Sequence, residues 1–191
     1  DLKVSATVSN QVSGDLKQGT SGFALQKIDL APVDADAPVK LERLVFQMTS
    51  NAAAQDRFLS IRLYQESGAK VGFDTNDLPL SGSVTFDGST ARVALDSVTT
   101  IPAGGVTIYA VASADAGATV GNIVKVALPI ALQGTAFSAM QVAGTAVYPS
   151  FVPYTGEETA SFTIVRAVDF GVDTIKAATT ILKPCEGSVF R

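Results

Sequence analysis

Leu2-Lys3-Val4-Ser5-Ala6-Thr7-Val8-Ser9 alternates apolar and polar side chains without a break. A period of two is the mark of a strand with one buried face. Leu2, Val4, Ala6 and Val8 fall on one side, and Lys3, Ser5, Thr7 and Ser9 on the other. A helix, turning about 100° per residue, would scatter the same four apolar side chains around its circumference. Similar short, β-branched stretches recur to the far end of the chain. They are Phe23 to Leu30, Val39 to Met48, Phe58 to Tyr64, Ser83 to Phe86, Ala91 to Leu95, Val106 to Ala112 and Asn122 to Leu132. Ala136 to Val142, Ala146 to Val152, Thr159 to Val165 and Asp173 to Leu182 continue the series.

Turns rich in Gly, Asp and Pro separate these strands, and only Asn51 to Arg57 reads as a helix, of about two turns at most. Within Val39 to Met48 the apolar set slips from Val39 and Leu41 to Leu44, Phe46 and Met48. One extra residue therefore lies between them, which predicts a β-bulge. So many short strands in 191 residues predict an all-β fold, a two-sheet sandwich of jelly-roll type. The stretch 10–22 is mostly polar, carries three glycines and shows no period. It reads as a linker that could span about 40 Å if extended. The expected organisation is an N-terminal strand at 1–9, a linker at 10–22 and a single β-sandwich domain at 23–191.

Composition narrows the function. Charged residues are 17% of the chain, against about 25% in an ordinary domain. Histidine and tryptophan are absent and there is one cysteine, Cys185, which removes the commonest general base and metal ligand and any internal disulfide. A net charge of −4 lacks the basic excess that nucleic acid or an anionic membrane requires. No apolar run reaches the roughly 18 residues of a membrane span. Low charge, a single thiol and a start at Asp1 predict a mature, secreted chain whose signal peptide has been removed. Cys185 reads either as an inert thiol or as half of an intermolecular disulfide.

Catalytic signatures are missing. There is no Gly-x-Ser-x-Gly elbow, and Glu157-Glu158 are adjacent residues that a strand would point to opposite faces. The expectation is that the chain is not an enzyme. For a metal, Asp74, Asn76 and Asp77 offer hard oxygens suited to a structural calcium, and Asp34 and Asp36 offer two more. The same residue types are ordinary turn formers whose side chains bond to nearby backbone, so both readings stand. Tyr148, Phe151 and Tyr154, stiffened by Pro149 and Pro153, read either as a loop that caps the sandwich or packs on a neighbouring subunit, or as a platform that stacks on a glycan.

Two segments carry a resemblance: Leu80 to Phe86, and Thr100 to Leu128 with its Ile-Pro-Ala-Gly-Gly turn. They resemble β-sandwich modules of prokaryotic surface-layer, pilus and adhesin-like proteins, which implies a surface-exposed structural module. The layout of alternating strand, linker and sandwich resembles subunits of donor-strand fibres: TasA-like fibres, archaeal bundling pili and cannula-type tubules. In those families the first strand of one subunit completes the sheet of the next. Here the resemblance implies that Leu2, Val4, Ala6 and Val8 are the inserted residues. The partners expected are other copies of the chain, assembled into an extracellular filament. The alternative is a surface-layer or adhesin module that binds calcium or a matrix glycan through its loops.

Overall fold

A computed structural model of the chain describes residues 4–11, 14–33, 39–50, 59–68, 70–129, 140–142, 145–147, 150–151 and 159–167. Among them every regular element is a strand. The first seven are β1 (Val4–Asn10), β2 (Asp15–Lys17), β3 (Phe23–Pro32), β4 (Val39–Ser50), β5 (Leu59–Gln65), β6 (Leu78–Pro79) and β7 (Val84–Thr85). The others are β8 (Thr90–Ile101), β9 (Val106–Ala114), β10 (Ile123–Ala127), β11 (Met140–Val142), β12 (Thr145–Val147), β13 (Ser150–Phe151) and β14 (Thr159–Val165). They form two sheets. The first runs β13-β1-β3-β9-β5-β6 with β7 also on β5, and the second runs β12-β11-β4-β10-β14-β2 with β8 also on β4.

The core lies between the sheets, where the apolar half of each alternating strand must go to leave water. Sheet one contributes Val4, Ala6, Ile28, Leu30, Ile61, Leu63, Ile108 and Ala110, and sheet two contributes Leu41, Leu44, Phe46, Val93, Val124, Val126, Phe162 and Ile164. Burying each of the larger side chains contributes roughly 1.5–3 kcal/mol before chain entropy is set against it. Phe23 and Phe162 meet across the layer edge to face, with centroids 5.7 Å apart.

The slip in β4 is a bulge. Its pairing with β11 shifts register, Leu41 facing Val142 and Arg43 facing Gln141, so Glu42 is the extra residue that keeps Leu41 and Leu44 on one face. On the β8 side, Leu41 faces Thr99 and Arg43 faces Ala94, and the residues between leave the ladder. They lean toward sheet one, where the Asp96 amide donates to the Leu80 carbonyl (2.8 Å) and the Leu80 amide donates to the Leu63 carbonyl (2.9 Å). Backbone bonds thus stitch the two sheets together along this side.

Three expectations need revision. The stretch 10–22 is not a plain linker: Asn10 ends β1, and Asp15–Lys17 forms β2, which pairs in parallel with β14 and buries Leu16. One buried leucine in three residues leaves no period to read. The single strand expected at Ala146 to Val152 is two, β12 in the second sheet and β13 in the first; Pro149 between them has no N–H for a continuous ladder. The strand expected at Ala91 to Leu95 runs on as β8 to Ile101. The helix expected at Asn51 to Arg57 and the strand at Asp173 to Leu182 lie outside the described residues, as do Asp34, Asp36, Tyr148, Tyr154, Glu157, Glu158 and Cys185.

Candidate functional site

β1 takes its place by alternation. Val4 and Ala6 are 1% and 0% exposed, and Val8 packs partly buried against the same core; Leu2 lies outside the described residues. On one flank β1 pairs antiparallel with β3 over seven positions, from Val4 opposite Pro32 to Asn10 opposite Gln26. On the other it meets β13 in parallel at two, Ser5 with Ser150 and Ala6 with Phe151. The Ser5 hydroxyl donates to the Ala31 carbonyl at 3.1 Å. Gln26 Nε2 donates to Asn10 Oδ1 at 3.2 Å, and the Gln11 amide donates to the Leu25 carbonyl at 2.9 Å.

After Gln11 the chain crosses to the other sheet. Gly14, at φ +134°, precedes β2, and a Cβ there would meet nothing within 4 Å. The chain then returns through Thr20, whose carbonyl accepts from the Ala114 amide at 2.9 Å, to enter β3 beside β1. β1 therefore sits in sheet one while the segment that follows it sits in sheet two.

Asp74, Asn76 and Asp77 do come together, as a turn. Asp77 is 5% exposed. Its carboxylate accepts from the Ser67 amide at 3.2 Å through Oδ1 and from the Asp74 amide at 2.9 Å through Oδ2. Asp74 Oδ1 accepts from the Asn76 amide at 2.7 Å, and the Ser67 hydroxyl donates to the Asn76 carbonyl. These oxygens face N–H and O–H donors of their own turn, the arrangement of Asx chemistry. Among the described residues no three His, Cys, Asp or Glu side chains gather as a metal centre would need.

The turn anchors a feature the sequence reading missed. The connection from β5 to β6 folds over the outer face of sheet one and covers Tyr109, which is fully buried although it points away from the core. Phe73 from that connection packs between Tyr64 and Tyr109, with centroid distances of 5.0 and 6.0 Å, and Arg62 lies over the Tyr64 ring at 5.2 Å. The Tyr109 hydroxyl donates to Glu66 Oε2 at 2.6 Å and accepts from the Gly72 amide at 3.1 Å. Burial first, and then the carboxylate of Glu66, push the Tyr109 phenol well above its ordinary range. The same hydrogen bond holds the Glu66 carboxyl below its ordinary value. A signal was present: Ile108-Tyr109-Ala110-Val111-Ala112 is a continuous apolar run, which marks a strand covered on both faces.

Fold and site together define an all-β, two-sheet sandwich whose first described strand is built into its own sheet. No protein-family model matches the sequence, and no curated protein matches it. The chain is similar to a DUF4466 family protein from Parabacteroides merdae ATCC 43184, with a TM-score of 0.39 and 9% identity over 84% of this chain. The chain spans 43% of that protein's length.

Proposed function

We propose that the chain is a noncatalytic structural subunit of an extracellular filament, pilus-like fibre or tubule, assembled head to tail by exchange of β1. The observation that supports this reading is the seat of β1. It inserts Val4, Ala6 and Val8 between the sheets and bonds to β3 over seven positions, yet is tied to the next strand only through residues 11–14. Each contact that β1 makes in its own sheet is equally available to β1 of a second copy, because swapping an identical element conserves the contacts and alters only the hinge. Strand addition of this kind draws affinity from the backbone ladder and specificity from alternate side-chain pockets. Head-to-tail exchange whose rotation does not close into a ring builds a filament. A chain with only 17% charged residues fits one covered by its own copies.

The test is removal of residues 1–9, followed by sedimentation and negative-stain electron microscopy beside the full chain. The full chain should form filaments or tubules and the truncated chain none. Fibres from the truncated chain, or monodisperse particles from the full chain, overturn the proposal.

A further inference from the structure

We propose that the Asn10–Gln26 pair is the register key of the β1 slot, deciding which strand segment of a second copy the slot accepts. The inference rests on the strand-exchange reading for its partner, but the register argument holds for β1 in either chain. On the side turned toward the core the facing pairs are Val4 with Pro32, Ala6 with Leu30 and Val8 with Ile28, and at the strand's exposed end Asn10 faces the buried Gln26. A slip of one residue would turn Ser5 and Thr7 into the core, so alternation alone forbids it. A slip of two preserves the alternation. Slid one way, Val8 faces Gln26, Ala6 faces Ile28 and Val4 faces Leu30, and each remains apolar. Slid the other way, Asn10 faces Ile28 and Val12 faces Gln26. Hydrophobic pattern alone does not choose among these three registers.

Gln26 does. It is 0% exposed on the core face, and its Nε2 donates to Asn10 Oδ1 at 3.2 Å. Either two-residue slip sets a valine against this buried amide and strips it of that hydrogen bond, and the second also drives Asn10 against Ile28. Leaving a buried amide short of a partner costs far more than the bond contributes when made. A single buried Asn fixes coiled-coil register by the same logic. The β3 backbone adds a second lock. Register against β9 shifts between Ala24 and Gln26, so Leu25 is an extra residue, and its carbonyl accepts from the Gln11 amide at 2.9 Å. A bulge occurs at one place on the strand, so the residue that bonds to it is placed at one register. The strand the slot accepts therefore reads apolar-x-Ala-x-apolar-x-Asn, ending on the amide.

Disulfide trapping in the full chain tests this, in a Cys185→Ser background. Facing positions of an antiparallel pair lie within disulfide reach and diagonal ones do not. Ser9→Cys with Lys27→Cys reports the native register, because these residues face each other. Thr7→Cys or Gln11→Cys with Lys27→Cys reports the two slips. With the key intact, the native pair should form at least about tenfold more crosslink than either slipped pair, the factor expected for one buried hydrogen bond. In Asn10→Val/Gln26→Leu the slipped pairs should rise roughly tenfold. Asn10→Val alone, at the exposed end of β1, should raise the Gln11–Lys27 crosslink and covers the case in which the double variant does not fold. Slipped crosslinks that stay as rare in both variants as with the key intact overturn the key. The band in which crosslinks appear answers the other question: chain-to-chain ladders from assembled material support exchange, whereas crosslinks confined to monomers overturn exchange and leave the key standing.

Discussion

Tyr109 donates its phenolic hydrogen to Glu66 at 2.6 Å, and this bond fastens the connection between β5 and β6 across the outer face of sheet one. The Gly72 amide closes on the same hydroxyl at 3.1 Å, and Phe73 packs against the ring beneath. Tyr109→Phe keeps the ring and removes both polar contacts. The expected loss is about 1 kcal/mol in urea unfolding, the net worth of a hydrogen bond to the buried Tyr109 hydroxyl. The connection should also open locally more often. Trypsin should then cut after the exposed Lys70 sooner than in the parent, and an unchanged cleavage rate would contradict the fastening role.

The same pair sets a pH dependence of stability. Glu66 is held below its ordinary 4.5, first by the Tyr109 hydrogen bond, so its contribution is complete above that value and fades as pH falls through the lower folded value. Tyr109 is raised above its ordinary 10.0, first by burial, so its contribution is complete below that value and fades as pH climbs past it. The difference in Tm between the parent and Tyr109→Phe should therefore be level from about pH 5 to 9 and shrink at both ends. A difference that stays constant from pH 3 to 11 would rule out the pair as its source.

The strands were legible where one face is buried and the other wet. β1 shows it residue by residue, and the bulge at Glu42 was readable because Leu41 and Leu44, three apart, must share a face. Other elements escaped because their cause is tertiary. β2 holds one apolar residue, and it is a strand because β14 offers an edge beside it. β8 runs on past Asp96, Ser97 and Val98, all exposed, because the Asp96 amide bonds to Leu80 and the strand rejoins β4 at Thr99. Glu66 and Tyr109 are 43 residues apart, and only the folded connection joins them. For the acidic stretch the residue types were right, and the geometry gives their oxygens to the turn.

That turn makes its own prediction. Asp77 is buried and accepts two amides, whereas the more exposed Asp74 side chain caps the Asn76 amide at the tip. Asp77→Ala should cost about 2 kcal/mol, at the upper part of the range for a buried acceptor, and Asp74→Ala about half as much. Millimolar calcium should leave Tm where it is, because a ligand raises Tm only when it binds the native state. A rise that Asp77→Ala abolishes would assign the turn to the metal instead.

Gly105 ends the Ile101-Pro102-Ala103-Gly104-Gly105 turn into β9, and two independent constraints meet there. Its φ is +84°, a region where side chains with a Cβ are strained, and a Cβ would lie 2.8 Å from the Leu30 carbonyl oxygen. That carbonyl belongs to β3, which pairs Leu30 with Val106 and also carries β1, so it has no freedom to retreat. Gly105→Ala must either distort the turn or push β3, and the expected cost is about 2–4 kcal/mol, the sum of left-handed strain and overpacking. Gly104 is the control in the same turn: its φ is not in the strained region and a Cβ there meets nothing within 4 Å. Gly104→Ala should fall within about 0.5 kcal/mol of the parent. Equal urea midpoints for the two variants would show that the clash with Leu30 is relieved at no cost, and that the second glycine is not what holds β9 against β3.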